Sequence, residues 1–365
     1  VHVLELQLCN FKNHKRFECA FSEGIHLITG PNGSGKTALL DALYTACLTK
    51  SAFNASDEQQ VTFGESYYLI KARFQREEMR TEISLGWQKG SGKALLTNGK
   101  AEKTLATHVG KYPVVLISPY DSDLIRLGAE PRRKLFDSIM AQYDTAYLHR
   151  LMQYNQLLHH KTALLKKGQE SGKVDYALLE VYDEKLSLFN SSISHSRQQF
   201  VEAFSPVFLL IYEKMGGQHE RPELVYCSEV LLSDSTTALL GSRERDIASG
   251  RCTWGIHRDD YDFLLQNSLI RKTGSQGQQK TYSIALKLAL FQFLKKTTGT
   301  SPLLLLDDIF DKLDDHRIEC LLSTVSSGVY SQIFITDARP ERSAELLALN
   351  SISFQTLVLP LKQNP

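Results

Sequence analysis

The chain has 365 residues, 42% of them apolar and 23% charged, with 42 Lys and Arg against 41 Asp and Glu for a formal net charge of +1. This length exceeds one typical core and predicts two lobes, or one domain carrying an insertion. Near-neutrality excludes a general basic field, so a polyanionic partner must meet a local patch. Six scattered cysteines without a C-x-x-C pair leave metal-site spacing absent and suit a reduced protein. Val1-His2-Val3-Leu4-Glu5 shows no basic region ahead of an apolar one, and runs such as Leu303–Leu306 are too short to span a bilayer. The expected compartment is the cytoplasm, with no membrane association.

Val1–Leu8, Phe17–Phe21 and Ile25–Thr29 read as strands. The third feeds Gly30-Pro31-Asn32-Gly33-Ser34-Gly35-Lys36-Thr37, which fits G-x-x-x-x-G-K-[ST] without a mismatch, and a helical pattern follows from Ala38. Strand, glycine loop and helix together predict a nucleoside triphosphate site. Gly30, Asn32, Gly33, Ser34 and Gly35 would turn backbone N–H groups toward phosphate oxygens, aided by the helix N-terminus. Lys36 would reach the β- and γ-phosphates, and Thr37 would place its hydroxyl on Mg²⁺. Short strands are expected at Tyr67–Ile70, Thr81–Leu85 and Val114–Ile117, with a hairpin connection at Gln88–Gly92.

The pattern then changes. Between Arg132 and Phe204 there is no proline, and glycine is confined to Gly168 and Gly172. Apolar residues recur at helical spacing, as in Leu135, Ile139, Tyr143 and Ala146, or Leu178, Val181, Leu186 and Phe189. This predicts an antiparallel arm of two or three helices turning near Gly168–Gly172. Strands return after Ser205-Pro206 at Leu224–Cys227 and Tyr261–Leu265. The expected division is a head over residues 1–125, an arm over 126–205 and the rest of the head over 206–365, with Pro206–Gly250 able to belong to either lobe.

Arg126–Lys167 carries eight basic residues against Glu130, Asp137 and Asp144. Arg126, Arg132, Arg133, Lys134, Arg150 and Lys161 are the candidate DNA contacts; a solvated helix face is the competing reading. No base-reading motif is present, so binding would be to phosphates and shape. Five neutralised phosphates would give a slope of about −4 to −5 in log affinity against log salt.

Downstream, Pro302–Asp308 is an apolar strand ending in two acids. Asp307 would hold the Mg²⁺ shell, and Asp308 would polarise the attacking water. Between arm and strand, Thr273-Gly274-Ser275-Gln276-Gly277-Gln278-Gln279-Lys280 puts small residues ahead of a helix, a second anion site. One γ-phosphate does not need two such loops from one chain, so Ser275, Gly277 and Gln278 are expected to cap nucleotide held by a second copy.

The S-x-G-Q core resembles the signature of ABC-type ATPases, and Asp311-Lys312-Leu313-Asp314 stands at the place of their D-loop. With Asn10-Phe11-Lys12-Asn13, Ile117–Asp121, Arg132-Arg133, Gly255-Ile256-His257-Arg258-Asp259-Asp260 and Ile335-Thr336-Asp337, the chain is similar to the RecF family of bacterial recombination mediators. The resemblance implies an α/β, ABC-type (SMC/RecF-like) P-loop ATPase head with an inserted antiparallel helical arm. It also implies ATP and Mg²⁺ as ligands, with Lys12 and Asn13 beside the nucleotide and Asp121 at the Q-loop position near the metal.

Further implications are an ATP-dependent homodimer, weak DNA-stimulated ATPase activity, and binding to single-stranded, duplex, gapped or junction DNA. Cooperation with RecR, directly or with RecO, to load RecA follows from the same resemblance. Three positions depart from expectation: Gln276 within the signature, Ile256 for a proline, and no switch histidine at residues 336–338. A non-catalytic ATP-gated DNA clamp and a transporter motor subunit are the alternatives. A nuclease with an ABC head would need an added catalytic domain.

Overall fold

The computed structural model describes residues 1–216, 220–309, 318, 332–337 and 340–360. Its contacts divide the chain into two compact units. One comprises Val1–Ser122, Leu210–Gln218 and Gln276–Pro365; the other comprises Asp123–Leu209 and His219–Ser275.

In the first unit, β1 (His2–Phe11), β2 (His14–Ala20), β4 (Tyr67–Arg76), β5 (Met79–Gln88), β6 (Gly92–Thr97) and β7 (Lys100–Ala101) form an antiparallel sheet in the order β2-β1-β4-β5-β6-β7. Its strands alternate as a half-buried sheet requires: Tyr68, Ile70, Ala72 and Phe74 of β4 are buried, while Tyr67, Lys71 and Arg73 are exposed. A second sheet joins β3 (Gly24–Thr29), β8 (Val114–Ile117), β12 (Leu303–Asp307), β13 (Gln332–Asp337) and β14 (Phe354–Val358) in the order β14-β3-β13-β12-β8. Every pair in it is parallel. β12 and β13 are buried along their whole length, the mark of parallel strands covered on both faces.

Helix α1 (Lys36–Leu48) follows β3, and its Leu39, Leu43 and Ala46 share one apolar cluster with Ile70 and Phe74 of the antiparallel sheet and Leu305 and Phe334 of the parallel one. The glycine loop is thereby anchored at both ends in a common core. Asp311–Asp314, the expected D-loop, lies outside the described residues.

The second unit is mainly helical: α2 (Asp123–Arg126), α3 (Ala129–Tyr143), α4 (Thr145–Ser171), α5 (Tyr176–Lys214), which extends into the first unit, α6 (Ser235–Ser249) and α7 (Ile270–Thr273). A small antiparallel sheet, β11-β10-β9, adds Pro222–Cys227 (β9), Asp260–Leu265 (β10) and Ser268–Leu269 (β11). The arm turns at Gly172, whose φ of 67° ends α4 in a left-handed cap.

Two differences from the sequence-based expectation stand out. First, α5 does not stop at Pro206 but continues to Lys214. Proline removes one helix hydrogen bond there, yet the rings of Phe200, Phe204 and Phe208 stack in series at 5.3 and 6.0 Å. Ser205 Oγ also bonds the Val201 carbonyl at 2.7 Å, so side chains hold the turn that proline weakens. Second, residues 219–275 group with the helices, because β10 packs on α3 and α6 on α4; of these, the sequence leaves 219–250 open to either lobe and places 251–275 with the head.

Candidate nucleotide-binding site

The parallel sheet positions the site. β13 lies between β3 and β12, so the loop leaving Thr29 and the carboxylate of Asp307 emerge from the same sheet edge two strands apart, a span of about 10 Å. Clefts at the carboxyl ends of parallel strands are where such sheets take ligands. Gly33 (φ +82°) and Gly35 (φ +105°) adopt left-handed backbone, and a Cβ on Gly35 would strike the imidazole of His14. The loop is braced from outside by the β1–β2 turn: Asn13 Nδ2 donates to the Gly33 carbonyl at 3.0 Å and His14 Nε2 to the Gly35 carbonyl at 3.1 Å. His14 escaped the sequence reading; its only signal was adjacency to Asn13.

Lys36 begins α1 and folds across the loop, donating to the carbonyls of Gly30 at 2.8 Å and Pro31 at 3.2 Å. Thr37 Oγ1 donates to the Asp307 carboxylate, 2.9 Å from Oδ1 and 3.1 Å from Oδ2. Thr336, paired in register with Asp307 across β12 and β13, donates its hydroxyl to Asp307 Oδ1 at 2.8 Å. The same hydroxyl accepts the backbone N–H of Asp308 at 3.0 Å. Asp308 itself sits in left-handed backbone (φ 43°). Burial pushes the Asp307 carboxyl above its ordinary range, opposed by the hydrogen bonds from Thr336 and Thr37.

Two structural features fit a phosphate ligand with Mg²⁺. The Ser34 hydroxyl is buried in the loop with no hydrogen-bond partner among the described residues. Thr37 and Asp307 present hard oxygen donors side by side, the ligand type Mg²⁺ prefers.

Other expected residues fall elsewhere. Asp121 is not placed as a metal ligand: Oδ1 is ion-paired with Lys287 at 3.0 Å and Oδ2 accepts the Ser118 N–H at 2.9 Å, so both oxygens are engaged. The Lys12 ammonium is paired with Asp41 at 2.5 Å, a buried acid that also holds Ser51 and the Ala52 N–H. Lys12 therefore fixes the turn, and Asn13 alone of the two touches the loop. Ser275 is exposed one residue before helix α8 (Gln276–Thr298), with half-buried Gly277 and Gln278 in its first turn.

The basic arm also needs correction. Arg132 is 3% exposed and grips Asp260 through both oxygens at 2.8 and 2.9 Å. Lys161 is fully buried between Asp183 and Asp246, each at 2.8 Å. Neither can reach a phosphate from these positions; they neutralise internal carboxylates. Arg126 and Lys134 are exposed, Lys134 pairing with Glu130, while Arg133 and Arg150 are half-buried. His257 is a satisfied structural histidine: Nε2–H donates to the Cys252 carbonyl, so Nδ1 accepts from Tyr154 Oη at 2.7 Å. Burial lowers its pKa to about 4.

A family model described as an AAA domain matches residues 5–200. A DNA replication and repair protein RecF from Cytophaga hutchinsonii is 38% identical, covering 98% of this chain and 95% of the relative. Its counterpart from Flavobacterium johnsoniae is 40% identical over 95% of this chain and 97% of the relative. A solved structure of the recombination mediator protein RecF-ATPrS of the RecFOR pathway shares 30% identity and a TM-score of 0.84, over 93% of this chain and 92% of the other. An Smc head bound to the C-winged helix domain of ScpA aligns at TM-score 0.55 and 17% identity, over 94% and 91% of the two chains, a likeness of fold alone.

Sheet order, phosphate loop and double-acid strand define an ABC-type P-loop ATPase head carrying a helical arm. Among such heads, identity over nearly the whole length is decisive. The chain belongs to the RecF family of DNA replication and repair proteins.

Proposed function

We propose that the protein is an ATP-dependent, dimerising DNA-repair ATPase of the recombination-mediator type. The observation that carries this reading is the Thr37–Asp307 pair at the mouth of the glycine loop, with hydroxyl and carboxylate in contact. In the proposed mechanism the loop amides and the Ser34 hydroxyl hold phosphate oxygens, and the Lys36 ammonium exchanges the Gly30 and Pro31 carbonyls for the β- and γ-phosphates. Mg²⁺, held by Thr37 and Asp307, would neutralise charge developing on the phosphates. Asp308 orients the attacking water, while Ser275, Gly277 and Gln278 of a second copy close the nucleotide from the far side.

Nucleotide closure would place two basic arms on one DNA and make hydrolysis a timer for residence. The relatives' RecFOR designation supports partnership with RecR, directly or with RecO, toward loading RecA at gaps. Lys36→Met is expected to abolish nucleotide binding, and Ser275→Arg to keep binding but lose ATP-induced dimerisation and turnover. Nucleotide titration with light scattering on both variants is the test; an ATP-induced dimer of Ser275→Arg would overturn the two-sided site. One observation favours a slower variant of this reading, an ATP-gated clamp: Asp308 is one methylene shorter than a glutamate and must act at closer range or through a second water. Single-turnover ATPase with DNA present separates the two.

A further inference from the structure

Within the second unit, a cavity of about 670 Å³ opens between the start of α3 and the turn Ile256–Arg258. Its polar lining is Arg133, Lys134, Arg258 and the half-buried His257, whose ring nitrogens are both already bonded, together with the Ala129 and Glu130 backbone at the start of α3, which Gly128 leaves without a side-chain cap. Glu130 is the one acid of the lining, and Lys134 pairs with it at 2.6 Å. Neither Arg133 nor Arg258 forms an ion pair among the described residues, although Asp259, Asp260 and Asp137 lie close enough to act on the Arg133 charge. Arg133 donates to a neutral acceptor, the Asp259 carbonyl, at 2.5 Å. The neighbouring carboxylates are already committed, Asp260 to Arg132 and Asp259 to Arg197 at 2.8 Å, with Ser228 at 2.7 Å. Arg258 is exposed and enters no ion pair among the described residues.

The turn carrying Arg258 is held rigidly. The Ile256 N–H donates to Asn190 Oδ1 at 3.0 Å, its carbonyl accepts from Arg197 at 2.9 Å, and His257 is locked between Tyr154 and Cys252. A concave, donor-rich site on a fixed scaffold, with no exposed aromatic ring in its lining, suits a phosphate oxyanion and cannot stack a base.

We propose that this cavity seats a backbone phosphodiester of the bound DNA, with Arg133 and Arg258 as the contacts, which gives the protein a sequence-blind register point on the strand. The inference rests on the DNA-binding reading above and adds a place and a residue the sequence did not suggest, Arg258. Its test is fluorescence anisotropy of the full-length protein with a labelled gapped duplex across a salt series. Arg258→Ala should weaken binding about tenfold and flatten the log–log salt slope by about one, equally for unrelated sequences. Lys173→Ala, an exposed change of the same charge outside the cavity, should leave the slope unchanged.

Replacing gap-proximal diesters by uncharged methylphosphonates should reproduce the Arg258→Ala loss in the unaltered protein and add nothing in the variant. Competition by inorganic phosphate at millimolar level, without such non-additivity, would assign the cavity to a free anion and overturn the proposal. DNA binding by the unaltered protein with an unchanged Arg258→Ala slope would also overturn it and leave the DNA reading standing. No DNA binding by the unaltered protein would remove both. Circular dichroism melting of Arg258→Ala checks folding, and Arg258→Lys should restore part of the slope.

Discussion

At the scale of single residues, Thr336 is the most informative position. Sequence comparison with ABC-type heads drew attention to it as the place where a switch histidine is missing. The structure shows a hydroxyl there with a different role, since it binds the Asp307 carboxylate and the backbone of Asp308 at once. Thr336 is thus a positioning residue for both acids, acting through them. Thr336→Val keeps the shape and removes both bonds. It is expected to lower turnover and Mg²⁺ affinity by about ten- to a hundredfold, with nucleotide KM in excess Mg²⁺ little changed. Thr336→Ser should recover most of the loss. Steady-state ATPase over a Mg²⁺ series measures this, and a valine variant with unchanged Mg²⁺ dependence would refute the role.

At the scale of elements, the Gly255–Asp260 turn shows how buried polar contacts fix a segment that has little apolar content. Its His257 is neutral in the fold, with a pKa of about 4, against about 6.5 in the unfolded chain. A lowered value means that the unfolded state takes up the proton first as pH falls. Stability tied to His257 is therefore complete above about pH 6.5 and is lost as pH drops from there toward 4. At pH 5 the loss amounts to about 2 kcal/mol. Urea unfolding at pH 7.5 and 5.0 should show the native protein losing more stability than His257→Gln by about that amount; equal losses would place the histidine's proton elsewhere. This turn also marks the limit of what the sequence disclosed. Short strand candidates at Tyr67–Ile70 and Thr81–Leu85 marked only parts of β4 and β5, and helical spacing marked the arm. The glycine loop and the Pro302–Asp308 strand marked the candidate nucleotide site, because each pattern is local. The inward turn of Arg132 and Lys161, the pairing of Asp121 with Lys287 and the passage of α5 through Pro206 depend on partners far along the chain. Charge counting cannot separate a cation that faces solvent from one that neutralises a buried acid.

At the scale of the whole molecule, a net charge of +1 leaves no long-range attraction for a polyanion, so on the proposed DNA-binding reading affinity would come from the few cations that remain outward. The eight basic residues counted between Arg126 and Lys167 lose Arg132 and Lys161 to the interior, while Lys134 and Arg150 are partly offset by Glu130 and Asp144. Arg126, Lys166, Lys167 and, from the distant turn, Arg258 are exposed and Arg133 is half-buried, which makes five candidate contacts. If DNA runs along the arm and touches four of these five, the salt slope should be about −3.6, shallower than the sequence count suggested. Contact confined to the cavity would instead give a slope near −2. Lys166→Ala with Lys167→Ala distinguishes the two paths: the pair should flatten the slope by nearly two units along the arm path and leave it unmoved otherwise. Repeating the series with ATP under conditions that block hydrolysis should roughly double the slope, because a nucleotide-closed pair presents two such surfaces to one duplex. An ATP-independent slope would separate DNA binding from dimer closure and return the nucleotide to a purely local role.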